Sequence, residues 1–441
     1  MSDPALQRAA LKRAPNFQWM MRGGVISFLG DQLTLVALPW LVLRLTADSL
    51  ALGLVIALIA IPRAVFILLG GAIVDRYSPK RVAILTKYAS ALLLAVLTVL
   101  VLANRPGASL PVSDSVDITL ALSPHATLMV IYLLAFCLGL AQAFAIPCGS
   151  AILPRAIAPE QLQAANGMLM GLRQLVMLLG PLLAAALLAF GGDSNNGLAC
   201  AFGFDCLSFL VSAWTLSKVQ LNDLPARPQQ QQQESVLRSV GAGLQMVWND
   251  LSLRMCFAYW GAVALLIGGS LQVALPLLAS QRLHGASMFG LLMAAHGAGT
   301  LLGMAGAAKG GKVLKRVNFG TLILLVDAIA GLLLMPLGEV HATWQGMALL
   351  ATLGLLTGFV QIAVFTWLQL RVLPHMMGRV MSIFMFIFVG LAPLSAAGAG
   401  WLLTFVTLQQ MFAGGGMILV ALASAAWLLT PMRNITSAQP Q

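Results

Sequence analysis

The chain has 441 residues, of which 59% are hydrophobic and only 9% are charged, whereas soluble proteins carry roughly 25% charged residues. This composition excludes a soluble enzyme and a disordered chain, because such a chain could not cover its surface with polar groups in water. The formal net charge of +11 would suit a nucleic-acid-binding protein, but membrane proteins collect basic residues in their cytoplasmic loops. We therefore expect no nucleic-acid partner.

The sequence also lacks the usual patterns of a metal or nucleotide site. The five cysteines stand in apolar runs without CxxC or Cys/His spacing, so we expect packing residues and neither a metal nor a cofactor. No Walker A sequence is present, which leaves coupling to ATP within this chain unsupported.

Twelve apolar segments recur along the chain, and most reach the roughly 20 residues that a helix needs to cross the hydrocarbon core. The sequence therefore predicts an all-α membrane protein of twelve transmembrane helices. The segments are 17–45, 49–73, 81–103, 127–152, 162–190, 197–217, 252–280, 286–308, 318–338, 343–370, 377–405 and 410–431.

The distribution of Lys and Arg predicts the orientation. Of the 25 basic residues, 20 fall on the side that holds both termini, 3 fall on the opposite side, and Arg63 and Arg173 lie within spans. Because basic residues concentrate in cytoplasmic loops, we expect both termini in the cytoplasm. The first span is too long for a cleaved signal peptide, so we expect it to be retained.

The two halves of the chain repeat one plan. Ala37-Leu38-Pro39 in the first span matches Ala274-Leu275-Pro276 in the seventh, and the basic pairs Lys80-Arg81 and Lys315-Arg316 follow at nearly the same distance. Internal repeats of this kind are typical of secondary transporters. We expect two pseudo-symmetric six-helix bundles, at 1–217 and 251–441. Between them, 218–250 is expected to be a cytoplasmic linker that includes a short amphipathic helix.

The loop after the second span resembles the signature loop of the major facilitator superfamily between helices 2 and 3. It reads Gly71, three residues, Asp75-Arg76, and then the basic pair Lys80-Arg81. The resemblance implies the major facilitator fold and transport by alternating access. It also implies that Gly71, Asp75, Arg76 and Arg379 form a conformational latch, whereas the alternative for Asp75 is a solvated loop charge.

Further passages resemble the drug and siderophore exporters of that superfamily, which include macrolide efflux proteins and enterobactin exporters. They begin at Leu29-Gly30-Asp31, Ile152-Leu153-Pro154, Asp205 and Gly378-Arg379. Gly180-Pro181 is similar to the exporters' antiporter motif, with alanines in place of the glycines that follow. The resemblance implies a multi-pass protein of the bacterial inner (plasma) membrane. It also implies an antiporter-like bend at Gly180-Pro181, where proline removes a helix hydrogen bond.

Asp31 lies near mid-membrane in the first span, where an aspartate costs at least roughly 2.5–3.5 kcal/mol unless it is paired, neutralised or hydrated. We interpret it as the carrier of a transported proton. The alternative is a structural anchor that hydrogen-bonds to neighbouring helices. Arg173 is similarly deep in the fifth span, where it could hold an acidic group of the substrate or Asp31 itself.

Other polar residues in the spans are weaker candidates for proton coupling or substrate binding. Arg63 is close enough to the inner face to snorkel, and we expect it, Asp205 and Asp327 to be structural buried charges. His296 could titrate near neutrality, although a lone histidine is more often a packing residue. Three glutamines could offer uncharged hydrogen bonds in the cavity: Gln142, Gln272 and Gln361.

These observations together predict a proton-coupled exporter of amphipathic small molecules, monomeric and in contact with membrane lipids. One alternative keeps the fold but moves lipid or lysophospholipid. A polytopic membrane enzyme is the other alternative; it would need convergent His, Asp or Cys groups, and the remaining histidines lie at scattered helix ends.

Overall fold

The computed structural model of the protein describes residue 11 and residues 13–76, 78–103, 110–111, 117–118, 123–191, 195–221, 236–283, 285–309, 318–373 and 376–436. Within these residues, twelve helical segments are long and apolar enough to cross a membrane. Each overlaps one of the predicted spans. The expected all-α, twelve-span class is therefore confirmed, and the protein is a multi-pass membrane protein.

The first seven helices carry six of the spans. Each of these spans is a single helix, except the fourth, which is interrupted between two shorter helices. The helices are α1 (Pro15–Thr46), α2 (Ser49–Arg76), α3 (Pro79–Ala103), α4 (Pro124–Gln142), α5 (Ala145–Ala156), α6 (Leu162–Gly191) and α7 (Asn196–Lys218). Between α3 and α4, Leu110–Pro111 pairs antiparallel with Asp117–Ile118.

Among the described residues, nine more α-helices come after α7. The first of them, α8 (Val236–Asn249), covers the segment for which the sequence predicts a short amphipathic helix. The others carry the remaining six spans: α9 (Leu251–Leu266), α10 (Ser270–Gln281), α11 (Ala286–Lys309), α12 (Phe319–Leu334), α13 (Thr343–Arg371), α14 (Met377–Met385), α15 (Ala392–Leu402) and α16 (Leu408–Leu429).

The chain divides into two compact units. The first unit comprises residues 1–48 and 58–228, and the second comprises residues 49–57 and 229–441. The first nine residues of α2 thus group with the second unit. The predicted bounds 1–217, 218–250 and 251–441 stay predictions.

Glycines set how closely the helices approach. In the second unit, α11 and α13 cross at two reciprocal pairs, since a methyl group on Gly299 or Gly303 would meet the backbone of α13, and one on Gly354 or Gly358 would meet the backbone of α11. Small residues that allow such backbone contact are the usual basis of helix association inside membranes.

Two spans of the second unit, the seventh and the eleventh, each contain an irregular turn. Residues 267–269 break the seventh span between α9 and α10, and a π-helical turn, Phe386–Leu391, precedes α15 in the eleventh. The backbone N–H of Gly269 donates to the Ser395 hydroxyl at 3.1 Å, and a methyl group on Gly269 would collide with the carbonyl of Ala392. The turn at 267–269 therefore packs against the first turn of α15, directly after the π-helical turn.

Candidate functional site

The polar residues of the first unit converge where α1 crosses α7. Gly23 and Gly30 of α1 have no room for a methyl group: one on Gly30 would lie 3.0 Å from the Cα of Asp205, and one on Gly23 would meet the Thr215 side chain. Polar side chains line the same crossing on both helices. They are Ser27 and Thr34 on α1, and Asp205, Ser208, Ser212 and Thr215 on α7.

Asp205 is held in this crossing by hydroxyl groups. Its side chain is 1% exposed. Thr34 Oγ1 donates to Asp205 Oδ2 at 2.5 Å, and Ser208 Oγ lies 3.0 Å from Oδ1. Because each carboxyl oxygen has a hydroxyl neighbour, this arrangement favours the structural role expected for Asp205.

Asp31 lies on α1 next to this crossing, but its environment is different. Its Oδ1 atom is enclosed and has no hydrogen-bond partner, and it is the only buried side-chain nitrogen or oxygen of this kind among the described residues. Three cations act on it electrostatically, from three different helices: Lys87 of α3, Arg63 of α2 and Arg173 of α6. The carboxyl group is thus surrounded by positive charge without a hydrogen bond that fixes Oδ1.

Lys87 is a residue that the sequence interpretation placed incorrectly. The charge count assigns it to the cytoplasmic side, yet it lies inside the third span, Pro79–Ala103. Its ammonium is 3.4 Å from the Ser27 hydroxyl and 5.4 Å from the centre of the Phe209 ring. Ser27 is four residues before Asp31, so the two side chains share one face of α1. Lys87 of α3 therefore contacts that face one helical turn from Asp31, on the N-terminal side.

Arg173 approaches the same turn from α6. Its guanidinium carbon is 4.6 Å from the centre of the Phe28 ring, within the usual range of a cation–π contact. Phe28 is three residues from Asp31, again on one face of α1. Arg173 is nevertheless an exposed residue.

Gly180 and Pro181 also contribute to this region. Helix α6 continues through Pro181 to Gly191. Gly180 is buried, and a methyl group there would meet the side chain of Gln32, the neighbour of Asp31. In this structure Gly180 lets α6 approach α1 beside the charged cluster, and the functional role of the pair stays a prediction.

Within the second unit, Asp327 and Tyr259 form a pair. Tyr259 on α9 donates a hydrogen bond of 2.8 Å to Asp327 Oδ2 on α12. His296 lies on α11, where its backbone carbonyl accepts a hydrogen bond of 2.9 Å from Thr300 Oγ1 and faces Gly354 of α13. No charged group among the described residues acts on the His296 ring.

The three predicted glutamines lie at different places. Gln142 is the last residue of α4, at the interruption of the fourth span, and Gln272 is in the first turn of α10, just after the interruption of the seventh. Gln361 is exposed in the middle of α13. The part of these glutamines in a substrate cavity stays a prediction.

The predicted latch is described only in part. The structure gives the backbone of α2 to Arg76, but the side chains of 67–77, which include Gly71, Asp75 and Arg76, lie outside the described residues. Arg379 lies on α14, with Nη1 3.7 Å from the sulfur of Met376. The latch therefore stays a prediction.

An ion pair that the sequence did not indicate joins the start of the seventh span to the end of the tenth. Arg371 donates to both oxygens of Asp250, at 2.8 Å from Nε and 3.0 Å from Nη2. Asp250 also caps α9 by accepting from the backbone N–H groups of Ser252 and Leu253. Burial alone would raise the pKa of Asp250, but these hydrogen bonds outweigh it and hold the pKa below its ordinary value of 3.8.

Metal binding has no support in the described part of the chain, where no three or more His, Cys, Asp or Glu side chains are grouped as ligands. The distinctive arrangement is therefore the cluster of Asp31 with Lys87, Arg63 and Arg173, which we call the Asp31 cluster.

The sequence pattern of the Major Facilitator Superfamily matches residues 20–397. Among curated relatives, the enterobactin exporter EntS of Escherichia coli O1:K1 is 27% identical over 382 residues, which cover 85% of this chain and 82% of the relative. The protein of the same name from Citrobacter koseri is 27% identical over 383 residues, with the same coverage.

Solved structures show the same fold. The nucleoside transporter NupG superposes with a TM-score of 0.64 at 14% identity, over 93% of this chain and 98% of that chain. A bacterial homologue of the iron transporter ferroportin, in an inward-facing state, gives 0.65 at 14% identity, over 93% and 98%. The inward-open xylose transporter XylE from E. coli gives 0.62 at 14% identity, over 94% and 96%.

Proposed function

Because this chain belongs to the Major Facilitator Superfamily, we propose that it is a proton-coupled exporter of amphipathic small molecules, of the drug or siderophore type, that works by alternating access. The similarity to enterobactin exporters supports export and a bacterial inner membrane. The excess of basic residues on one side supports cytoplasmic termini.

The observation that carries proton coupling is the enclosed Oδ1 of Asp31, which has no hydrogen-bond partner. A buried carboxylate oxygen without a donor is costly, and a proton on Asp31 would relieve that cost. Asp205 and Asp327 fit this role less well, because hydroxyl groups already hold them. We therefore assign the transported proton to Asp31.

The surrounding cations interact differently with the ionised and the protonated forms of Asp31. When ionised, Asp31 attracts Lys87, Arg63 and Arg173 from three helices; when protonated, it no longer offsets their charge. Since ligands and protons shift a conformational equilibrium only through different interactions in its two states, a change of charge at the meeting point of four helices is well suited to bias the transport cycle.

The test uses proteoliposomes that contain the purified protein, with a pH gradient imposed in either direction. Candidate substrates are ethidium, enterobactin and a lysophospholipid, so that drug, siderophore and lipid transport are distinguished in one assay. We expect transport of a drug or of the siderophore to respond to the pH gradient in the native protein. Asp31→Asn should abolish that response but retain substrate counterflow, and Asp31→Glu should keep part of it.

Asp48→Asn is the matched control, because it makes the same chemical change at an exposed aspartate between α1 and α2. If Asp31→Asn retains the full response to the pH gradient, Asp31 is a structural anchor. His296, Asp205 and Asp327 are then the next candidates for coupling. Movement of the lysophospholipid alone would instead support the lipid-transporting alternative.

A further inference from the structure

Arg173 is an exposed cation that is fixed in place. An unpaired charged side chain in a transmembrane span is costly, yet the Arg173 guanidinium lies 4.6 Å over the Phe28 ring and the residue is exposed. Stacking on an aromatic face restricts the side chain while leaving its five donors free to bind a planar or tetrahedral anion.

The surface around Arg173 is apolar and adaptable. Met170 and Met177 stand three residues before and four residues after it, on the same face of α6, and they are 60% and 50% exposed. Methionine side chains are flexible and polarisable, and they suit surfaces that accept more than one ligand shape. A cation between two exposed methionines and an aromatic ring matches a ligand with an acidic head and a hydrophobic body.

The charge balance points to the same ligand. Three cations, Lys87, Arg63 and Arg173, surround Asp31, while the nearby Asp205 is enclosed with hydroxyl neighbours at both oxygens. With both carboxylates ionised the cluster keeps one positive charge, and with Asp31 protonated it keeps two. An anionic group is attracted in either state, and a cationic group is repelled in both.

We propose that Arg173, stacked on Phe28 between Met170 and Met177, binds the acidic head of an amphipathic organic anion, and that this anion binds together with a proton on Asp31. This inference rests on the proposed function and deepens it by naming the class of cargo. Ionised Asp31 and the acidic head are alternative partners for the same cations, so protonation of Asp31 strengthens anion binding.

Charged and titratable groups surround Asp31 on the neighbouring helices. They are Arg63 on α2, Lys87 on α3 with Cys148 of α5 close to it, Arg173 on α6 and Asp205 on α7. Because anion and proton binding favour each other, the acidic cargo and the proton on Asp31 occupy the same state of the transport cycle.

The experiment measures binding with two probes of one shape and different charge. Naphthalene-1-sulfonate is an anion and naphthalene-1-sulfonamide is neutral at both about pH 5.5 and about pH 8, so any pH effect belongs to the protein. Binding to the purified full chain in lipid nanodiscs is followed by calorimetry, with empty nanodiscs subtracted. We expect the sulfonate to bind at least about tenfold more tightly than the sulfonamide, since only it can make charge-assisted hydrogen bonds.

Variants separate the two parts of the proposal. Arg173→Gln should weaken sulfonate binding about tenfold, and Arg173→Lys should retain part of it. Arg22→Gln is the matched control, because Arg22 also stacks on an aromatic ring of α1, with 5.4 Å to Trp19, but away from the Asp31 cluster. Asp31→Asn should tighten sulfonate binding at about pH 8 by about threefold or more and remove its pH dependence.

Each contrary result rejects a defined claim. Equal binding of sulfonate and sulfonamide, or equal effects of Arg173→Gln and Arg22→Gln, would reject the anion site. Unchanged or weaker sulfonate binding in Asp31→Asn would reject joint binding with a proton. Sulfonate binding as expected, without any response of transport to a pH gradient, would reject proton coupling while leaving the anion site intact.

Discussion

The Tyr259 hydroxyl donates a 2.8 Å hydrogen bond to Oδ2 of Asp327, so this carboxyl group of the second unit is held, unlike Asp31. The two aspartates were both recognised in the sequence as charges within spans. Their surroundings give them different expected roles, with Asp327 structural and Asp31 titrating during transport.

We therefore predict that Tyr259→Phe lowers stability but leaves proton coupling intact. Removal of the hydroxyl leaves a buried carboxyl oxygen without its donor, which costs about 1–3 kcal/mol. Thermal unfolding in detergent should show a lower melting temperature, while transport by the surviving protein should respond to a pH gradient as before. A variant of native stability that has lost this response would place Tyr259 and Asp327 in the coupling mechanism.

The crossing of α1 and α7 provides a prediction with a control on the same helix. Gly30→Ala places a methyl group 3.0 Å from the Cα of Asp205 and closer still to its carboxyl group, so we expect overpacking to cost about 1–3 kcal/mol. Gly24→Ala has open space within 4 Å and should be neutral or slightly stabilising. The comparison of their melting temperatures tests the crossing, and equal values would contradict it.

The Asp250–Arg371 ion pair should stabilise the second unit equally at about pH 6 and about pH 8. The pKa of Asp250 in the folded protein is below its ordinary value of 3.8, so this stabilisation is complete above that value and is lost only as the pH falls through the folded pKa. Asp250→Ala removes the helix cap as well as the ion pair and should cost about 1–3 kcal/mol.

Arg371→Gln keeps the cap at Asp250 and should therefore cost less than Asp250→Ala. Melting temperatures of both variants at the two pH values provide the measurement. A deficit for Asp250→Ala that differs between these pH values would show that Asp250 titrates in that range, against the expectation.

The predicted membrane topology can be tested by cysteine labelling. In a Cys-free background, Gln230→Cys should be protected from a membrane-impermeant thiol reagent in intact cells, because the linker is expected in the cytoplasm. Asp114→Cys, in the loop between the third and fourth spans, should be labelled. The reverse pattern would invert the orientation.

Much of the fold could be predicted because hydropathy reports directly on burial in lipid. The predicted third span, 81–103, differs from the observed Pro79–Ala103 by two residues at one end. The interruptions at 143–144 and 267–269 and the π-helical turn Phe386–Leu391 were not predicted. They change which carbonyl each N–H bonds to, and this leaves little trace in the apolar pattern.

The candidate site was predictable to the extent that charges inside a membrane are costly. That cost identified Asp31, Arg173 and Arg63. Lys87 was missed because it is close enough to the start of its span to be counted with the cytoplasmic loop. The hydroxyl groups of Thr34 and Ser208 that hold Asp205 could not be recognised, since serine and threonine are common in membrane helices and only the crossing of α1 and α7 brings them to the carboxyl group.

The bond between Gly269 and Ser395 joins the irregular turn of the seventh span to the first turn of α15, which follows the π-helical turn of the eleventh span. A regular helix resists bending because every carbonyl is engaged by the turn that follows, whereas each of these spans has a turn where that ladder is interrupted. Since the turn at 267–269 is bonded to the helix that follows the π-helical turn, we expect bending of either span to be transmitted to the other. The seventh and eleventh spans would then bend together, and in each span the segment before the irregular turn could tilt relative to the segment after it. The close glycine contacts would meanwhile hold α11 and α13 together.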